Sequence, residues 1–180
     1  MTISNSLTSI QKEIIIQTLT LRYSTHLKPL SPELNHTNFQ NTTMANHEEF
    51  IEKNISQEIS NQLGNHSDKI GISLSSGIDS TLVLALLRKQ YPENEIESIS
   101  VKFSDSFSEI QASKKISETF ETNHHILEID NFLEQLPMAI SIVKQPFWDL
   151  HWYNLTKEMK KFSNIFLSGD GGDELFGGYT

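Results

Sequence analysis

The sequence predicts an α/β protein with a doubly wound, mainly parallel sheet and helices on both faces. Three observations carry that expectation. From residue 69 onward short apolar strands alternate with helical patterns. Such βαβα order implies right-handed crossovers that cover both sides of one sheet. Two loops rich in small residues each directly follow a strand, where an open α/β sheet presents its ligand crevice.

The elements can be justified in order. Residues 1–45 carry weak signals: within 14–23 the alternation Thr18-Leu19-Thr20-Leu21 is compatible with a strand, and 24–45 is polar with Pro29 and Pro32. This stretch is expected to be a poorly defined N-terminal segment, set apart from a domain over 46–180. Asn46 with Glu49 three residues later resembles a capping box, followed by Ile51, Ile55, Ile59 and Leu63 at four-residue spacing, with Gly64 as the stop. An amphipathic helix is predicted there. A strand follows over 69–74, then a helix over 80–90 carrying Leu82, Val83, Leu86 and Leu87, then a strand over 96–103 with Ile99, Val101 and Phe103 pointing inward. A helix over 108–120, a strand over 124–129, helical stretches over 131–143 and 151–161 and a strand over 164–168 complete the alternation. The acidic run 93–97 reads as a solvated face. His124 and His125, adjacent on a strand, must face opposite sides and read as structural rather than metal-binding. Trp148 and Trp152, four apart, read as helix packing.

The first loop is Ser75-Ser76-Gly77-Ile78-Asp79-Ser80-Thr81. It joins a strand to a helix, so its N–H groups and hydroxyls lie at a helix N-terminus, a natural seat for phosphate oxygens. Gly77 lets backbone approach a ligand, and Ser75, Ser80 and Thr81 supply short donors. A Walker loop would need a lysine before its Ser/Thr, and this loop has none.

The second loop, Ser168-Gly169-Asp170-Gly171-Gly172-Asp173-Glu174-Leu175-Phe176-Gly177-Gly178-Tyr179, follows Ile165-Phe166-Leu167. Its glycines and acids make neither a good helix nor a good strand and point to ligand contact. Acids beside a phosphate loop need a cation, because like charges about 4 Å apart repel by about 4 kcal/mol at an effective dielectric of about 20. Mg²⁺ held by Asp79 and Asp173 would resolve the conflict by bridging phosphate oxygens. The loops meet only if the fourth strand lies on the other side of the first from the second and third. That requires strand order 3-2-1-4, with both loops at the switch-point crevice.

The first loop resembles the SGGxDS pyrophosphate loop of N-type ATP pyrophosphatase (PP-loop) enzymes. The second resembles the SGxGxDELFGGY signature of the asparagine synthetase family. Between them, the strand 98–103 is similar to the family's SFSVGF strand, Asn123-His124-His125 to its T-x-H-H-E strand start, and Gln145-Pro146-Phe147-Trp148-Asp149 to its QPFGD segment. The likeness runs over about residues 50–179, and before it only Leu21-Arg22-Tyr23 offers a weak match.

The resemblance implies an adenine nucleotide α hydrolase-like fold and an ATP-dependent, AMP-forming ligase. Such an enzyme activates a carboxylate, aspartate in the family, as its acyl-AMP, releases pyrophosphate, and lets ammonia attack to give the amide. By position, Leu74, Val101, Ser168 and Gly169 would contact adenosine. Ser75, Ser76, Gly77, Asp79 and Ser80 would hold the phosphates. Asp79 and Asp173 would hold Mg²⁺, and Asp170 would sit near the substrate or adenylate. Ser76 stands where the family has a second glycine; if that position required φ > 0, serine would cost of order 1 kcal/mol in strain. Lys144 falls where an acid is common, and Trp148, His151, Trp152 and Tyr153 replace smaller residues, which bears on the acid pocket. The resemblance also implies further residues beyond Thr180, including a lysine that assists the departing pyrophosphate, and an N-terminal glutaminase domain with a cysteine nucleophile at residue 2, which this chain does not show.

Composition narrows the alternatives. Fourteen Lys+Arg against 23 Asp+Glu give a net charge of -9, which offers little to nucleic acid. No apolar run approaches the roughly 20 residues of a membrane span. With no cysteine, and Thr2 at the second position, the family's thiol route to ammonia from glutamine has no nucleophile in this chain. Ammonia is then expected free or from a partner glutaminase. No secretory pattern opens the chain, so a cytoplasmic location is expected, and a homo-oligomer is compatible. Two alternatives stay open: the same chemistry on another acid or amine, as in β-lactam-forming or peptide-cyclising relatives, and an ATP-binding module without catalysis.

Overall fold

The computed structural model describes residues 8–21, 24–26, 37, 45–65, 68–102, 107–129, 131–143 and 150–176. The chain divides into two compact units, Met1–Met44 with Leu133–Leu150, and Ala45–Phe132 with His151–Thr180.

In the first unit, helix α1 (Ser9–Leu21) occupies the stretch whose Thr-Leu alternation suggested a strand. The reason is local. Thr8 Oγ1 accepts from the Gln11 N–H at 3.2 Å while Gln11 Oε1 accepts from the Thr8 N–H at 2.9 Å, a reciprocal capping box. Thr18 and Thr20 then donate back to the carbonyls of Ile14 and Ile16, each at 2.7 Å, so their hydroxyls are satisfied within a helix. The same unit contains most of α5 (Phe132–Val143), with Pro137 inside it and Ala139 buried.

In the second unit, α2 (His47–Leu63) starts after Asn46 as expected. The Asn46 amide, however, donates to the Glu49 carboxylate at 2.9 Å and makes no cap to the backbone. Gly64 ends the helix at φ +55°, its N–H bonded to the Ser60 carbonyl at 2.8 Å. There follow β1 (Ile70–Ser73), α3 (Ile78–Gln90), β2 (Ile96–Lys102), α4 (Phe107–Thr119), β3 (Asn123–Glu128), α6 (Leu150–Met159), β4 (Ile165–Leu167) and α7 (Gly172–Phe176). The four strands form one parallel sheet in the order β3-β2-β1-β4, the expected 3-2-1-4. Among the described helices none is long and apolar enough to cross a membrane.

Because side chains alternate along a strand, each face has its own core. Ile70, Ile72 and Leu74 pack with Ile96, Leu84, Leu87, Ile59 and Leu63 on one face. On the other, Ile99 packs with Leu155 and Met159 of α6, joined by Val101, Leu127, Trp152 and Phe166. Both strand faces are therefore covered, and the inward Ile99 and Val101 lie on the α6 side. Gly71 is what lets α6 lie flat: a Cβ there would stand 2.5 Å from Met159 Sδ and 2.9 Å from the Ile165 carbonyl.

The acidic run 93–97 is not uniformly solvated. Glu97 is 2% exposed, because the alternation of β2 turns it under Phe162 rather than outward. Its carboxylate accepts from Lys69 Nζ at 2.8 Å, Asn123 Nδ2 at 3.2 Å and His125 Nε2 at 2.6 Å. Burial pulls its pKa up, but the bonds from His125, Lys69 and Asn123 outweigh that and hold it below the usual carboxylate range. Lys69 is pushed above its ordinary value by its bonds to Glu95 and Glu97. The His125 ring stacks on Phe162 with centroids 3.8 Å apart, while His124 faces the other way, onto Ser98. The two rings thus face opposite sides of the sheet, as adjacency on a strand requires.

Two outcomes follow. A depressed folded pKa means that Glu97 stabilises the fold above its unfolded pKa and loses that contribution as pH falls through the folded value. Glu97→Gln is expected to lower stability by about 1–3 kcal/mol near neutrality and to flatten the acid limb of urea midpoints measured from pH 7 to 3. Gly71→Ala should cost about 1–3 kcal/mol in the same urea assay, as overpacking against Met159 and backbone.

Candidate functional site

The two loops leave the C-terminal ends of the paired strands β1 and β4. Leu74, just past β1, is 2% exposed with its side chain in the core. Its N–H donates to the Ile99 carbonyl at 2.9 Å and its carbonyl accepts from Ser100 Oγ at 2.5 Å, which fixes where the loop begins. Ser75, Ser76 and Gly77 are exposed beyond it.

Hydroxyls close this loop. Ser80 Oγ accepts from the Ser75 N–H at 3.1 Å and lies 2.9 Å from Ser75 Oγ, which in turn accepts from the Gly77 N–H at 3.1 Å. Thr81 Oγ1 donates to the Gly77 carbonyl at 2.7 Å. The helix starts at Ile78, two residues earlier than its apolar pattern suggests, so Asp79 belongs to its first turn. Gly77 has φ -75° and ψ 159°, and among the described residues Glu121 alone has positive φ without being glycine. Ser76 therefore carries no left-handed strain, and the condition under which it would cost stability does not arise.

The second loop lies directly on the first. A Cβ on Gly169 would stand 2.5 Å from the Ser80 nitrogen, 2.7 Å from the Asp79 carbonyl carbon and 2.8 Å from Ser80 Cα. One on Gly172 would stand 2.6 Å from both carboxylate oxygens of Asp79. Only glycine admits either approach. Between them Gly171 adopts φ +95°, which turns the chain into α7. That short helix corrects the expectation of no regular structure here: once Gly171 has made the turn, the Leu175 N–H bonds back to the Gly171 carbonyl at 3.1 Å. The Asp79 carboxylate thus rests against Gly172 at the start of α7, the residue before half-buried Asp173.

Of the other sequence-derived residues, Ser168 and Gly169 are half-buried and Asp170 is exposed, its N–H directed to Ser168 Oγ at 3.4 Å. Val101 lies on the α6 face of the sheet, opposite Leu74. Phe103, Lys144 and residues 145–149 and 177–180 lie outside the described residues. His151, Trp152 and Tyr153 sit in α6, where Trp152 joins the core against Phe166 with centroids 6.1 Å apart.

The loops contain Asp79, Asp170 and Asp173 and no lysine or arginine. Among the described residues no group of three or more His, Cys, Asp or Glu could hold a metal unaided. Two carboxylates on touching elements nevertheless suit Mg²⁺, which takes one or two protein carboxylates and completes its shell with phosphate and water. A separate cleft of about 710 Å³ opens at the opposite ends of the strands, lined by Asp68, Lys69, Glu95 and Asn164 among others. It has no strand-to-helix loop, and ligands of open α/β sheets bind at the carboxyl ends.

The two glycines are expected to respond differently to alanine. Gly169→Ala meets backbone and should lower the urea midpoint by an amount equivalent to about 1–3 kcal/mol. Gly172→Ala meets only a movable carboxylate, so it should cost less stability, by about 1 kcal/mol or below, while displacing Asp79. Paired urea unfolding curves check the ranking.

Comparison with known proteins bears on this geometry. The asparagine synthase family model matches residues 51–180. The chain is 32% identical over 115 residues to a protein of Methanocaldococcus jannaschii described as putative asparagine synthetase [glutamine-hydrolyzing] 2, covering 61% of this chain and 22% of that one. It is 31% identical over 117 residues to asparagine synthetase [glutamine-hydrolyzing] 1 of Bacillus subtilis, covering 62% and 18%. The chain therefore spans about a fifth of the length of these curated relatives. Among solved structures, NMN synthetase from Francisella tularensis superposes with TM-score 0.50 at 19% identity, over 72% of this chain and 58% of that one, a likeness of fold. With the paired loops in place and the family model matched across them, the chain belongs to the asparagine synthase family.

Proposed function

We propose that this chain is the nucleotide-handling part of an ATP-dependent ligase that activates a carboxylate, aspartate in the first instance, as its acyl-adenylate for amidation by ammonia. The observation that carries the reading is the seating of Gly169 and Gly172 on Ser80 and Asp79, which makes one site of two loops. Family membership supports the same chemistry.

In this reading the substrate carboxylate attacks the α-phosphorus of ATP and pyrophosphate leaves. Ammonia then attacks the acyl carbon, and AMP leaves with the acyl oxygen's electron pair. The first-turn N–H groups of α3 and the hydroxyls of Ser75 and Ser76 receive the departing phosphates. Their positions are set beforehand by the Ser75–Ser80 pair and by the Gly77 N–H bonded to Ser75, so little reorganisation is needed as charge moves. Ser168 and Gly169 would flank the adenosine together with the main chain at Leu74 and Val101, whose side chains lie on opposite faces of the sheet, and exposed Asp170 would face the acid or adenylate. Asp79 and Asp173 would hold Mg²⁺, which when bound neutralises phosphate charge and eases departure of pyrophosphate. Ammonia is the nucleophile in this reading, and these 180 residues, which contain no cysteine, offer no thiol to release it from glutamine. A cytoplasmic setting, with its ATP and free amino acids, fits these substrates.

Pyrophosphate release from ATP, screened with aspartate and other carboxylic acids in the presence of ammonium and Mg²⁺, tests the reading. Release that needs both an acid and Mg²⁺ is expected, and Asp79→Asn or Asp173→Asn should lower it by about 100-fold or more. Product mass identifies the amide and separates asparagine from other acceptors. Nucleotide binding with no release for any acid would contradict a catalytic role.

A further inference from the structure

The face of β2 under α4 carries a second buried polar group, apart from the Glu97 cluster on the opposite face. Ser98 is 0% exposed, Ser100 4% and Ser117 2%. Buried hydroxyls persist only when bonded, and these form a single file with the His124 ring. Ser117 Oγ lies 2.8 Å from Thr122 Oγ1, Thr122 Oγ1 2.7 Å from Ser98 Oγ, and Ser98 Oγ 2.8 Å from His124 Nδ1. His124 Nε2 lies 3.4 Å from Ser100 Oγ, whose proton goes to the Leu74 carbonyl at 2.5 Å.

The far end fixes the direction of the file. A carbonyl only accepts, so Ser100 spends its one proton on Leu74. Ser100 Oγ can then only accept from the ring, which puts the ring proton on Nε2. Nδ1 is left to accept from Ser98 and Ser98 from Thr122, while Ser117 Oγ, beside Thr122 Oγ1, also donates to the Thr122 carbonyl at 3.2 Å. Burial first, then the nearby charges of His125 and of Lys114 on α4, hold the His124 pKa below its ordinary value and favour the neutral ring that this pattern needs.

We propose that His124 is a positioning residue for the loop at Ser75, acting through Ser100 on the Leu74 carbonyl by a hydrogen-bond file with one allowed direction. Leu74 is the last residue before the loop, held from one side by the Ile99 carbonyl on its N–H and from the other by Ser100 on its oxygen. Removing the donor to Ser100 frees that hydroxyl to turn, and the loop loses its anchor. The link to nucleotide binding rests on the function proposed above; the hydrogen-bond file itself does not.

The test has two arms on the 180-residue chain. Nitrogen-15 spectra of the histidine rings should show His124 as the Nε2–H tautomer; an Nδ1–H ring would overturn the proposal whether or not ATP binds. In the second arm, His124→Gln keeps a donor that reaches Ser100, whereas His124→Asn keeps only the acceptor facing Ser98. Amide shifts of Ser75 and Gly77 should stay near wild type in the glutamine variant and move in the asparagine and Ser100→Ala variants. MgATP affinity should fall about five-fold in the latter two and remain within about two-fold in the first. Equal losses in Gln and Asn variants, or loop amides unmoved by Ser100→Ala, would overturn it. If unmodified protein fails to bind MgATP, the functional reading fails, and the tautomer and loop shifts still decide the positioning role.

Discussion

The backbone of Gly169 rests on the first turn of α3, and the rest of the site is arranged around that approach. It comes from the parallel pairing of β1 with β4, which brings Ile72 opposite Leu167 and so releases both loops at the same edge of the sheet. A side chain at Gly169 would collide with the Ser80 nitrogen, and one at Gly172 with the Asp79 carboxylate. The glycines are thus the means by which segments distant in sequence share one surface, rather than a supply of flexibility. Gly71 plays the matching part beneath them, letting α6 lie close enough to support β1 and β4.

The electrostatics of that surface are one-sided. Helix N-termini favour anions, and the loops answer with N–H groups and hydroxyls on one hand and three aspartates on the other. Phosphate alone would be welcomed by the first and repelled by the second. A divalent cation reconciles them, which is why the aspartates read as part of a phosphate site rather than an obstacle to one. The polar residues elsewhere serve different ends: Glu97 with Lys69, Asn123 and His125 ties strand starts together, and the serine file ending at Leu74 sits beneath the loop itself.

Much of this was legible in the sequence because it depends on local signals. Alternating apolar strands and helices gave the layers, and the requirement that two loops meet gave the order β3-β2-β1-β4. The misses share a cause. In α1 the Thr8–Gln11 capping box outweighed a four-residue alternation that looked like a strand. In 93–97 an acidic run hid the one carboxylate that strand alternation turns inward. At α7 the glycines masked a helix that one positive-φ turn allows. The Ser98 and Ser100 file is hidden in the sequence because serines in a strand look neutral; its signal is the same-face spacing with His124, which exists only when β2 and β3 are paired in register.

Amide shift mapping during a MgATP titration tests the shared-site claim most directly. Ser75, Ser76 and Gly77 are expected to shift together with Gly169, Gly171 and Gly172, at one common saturation point. Shifts confined to one loop, or gathered instead around Asp68, Lys69 and Asn164 at the opposite end of the sheet, would contradict it.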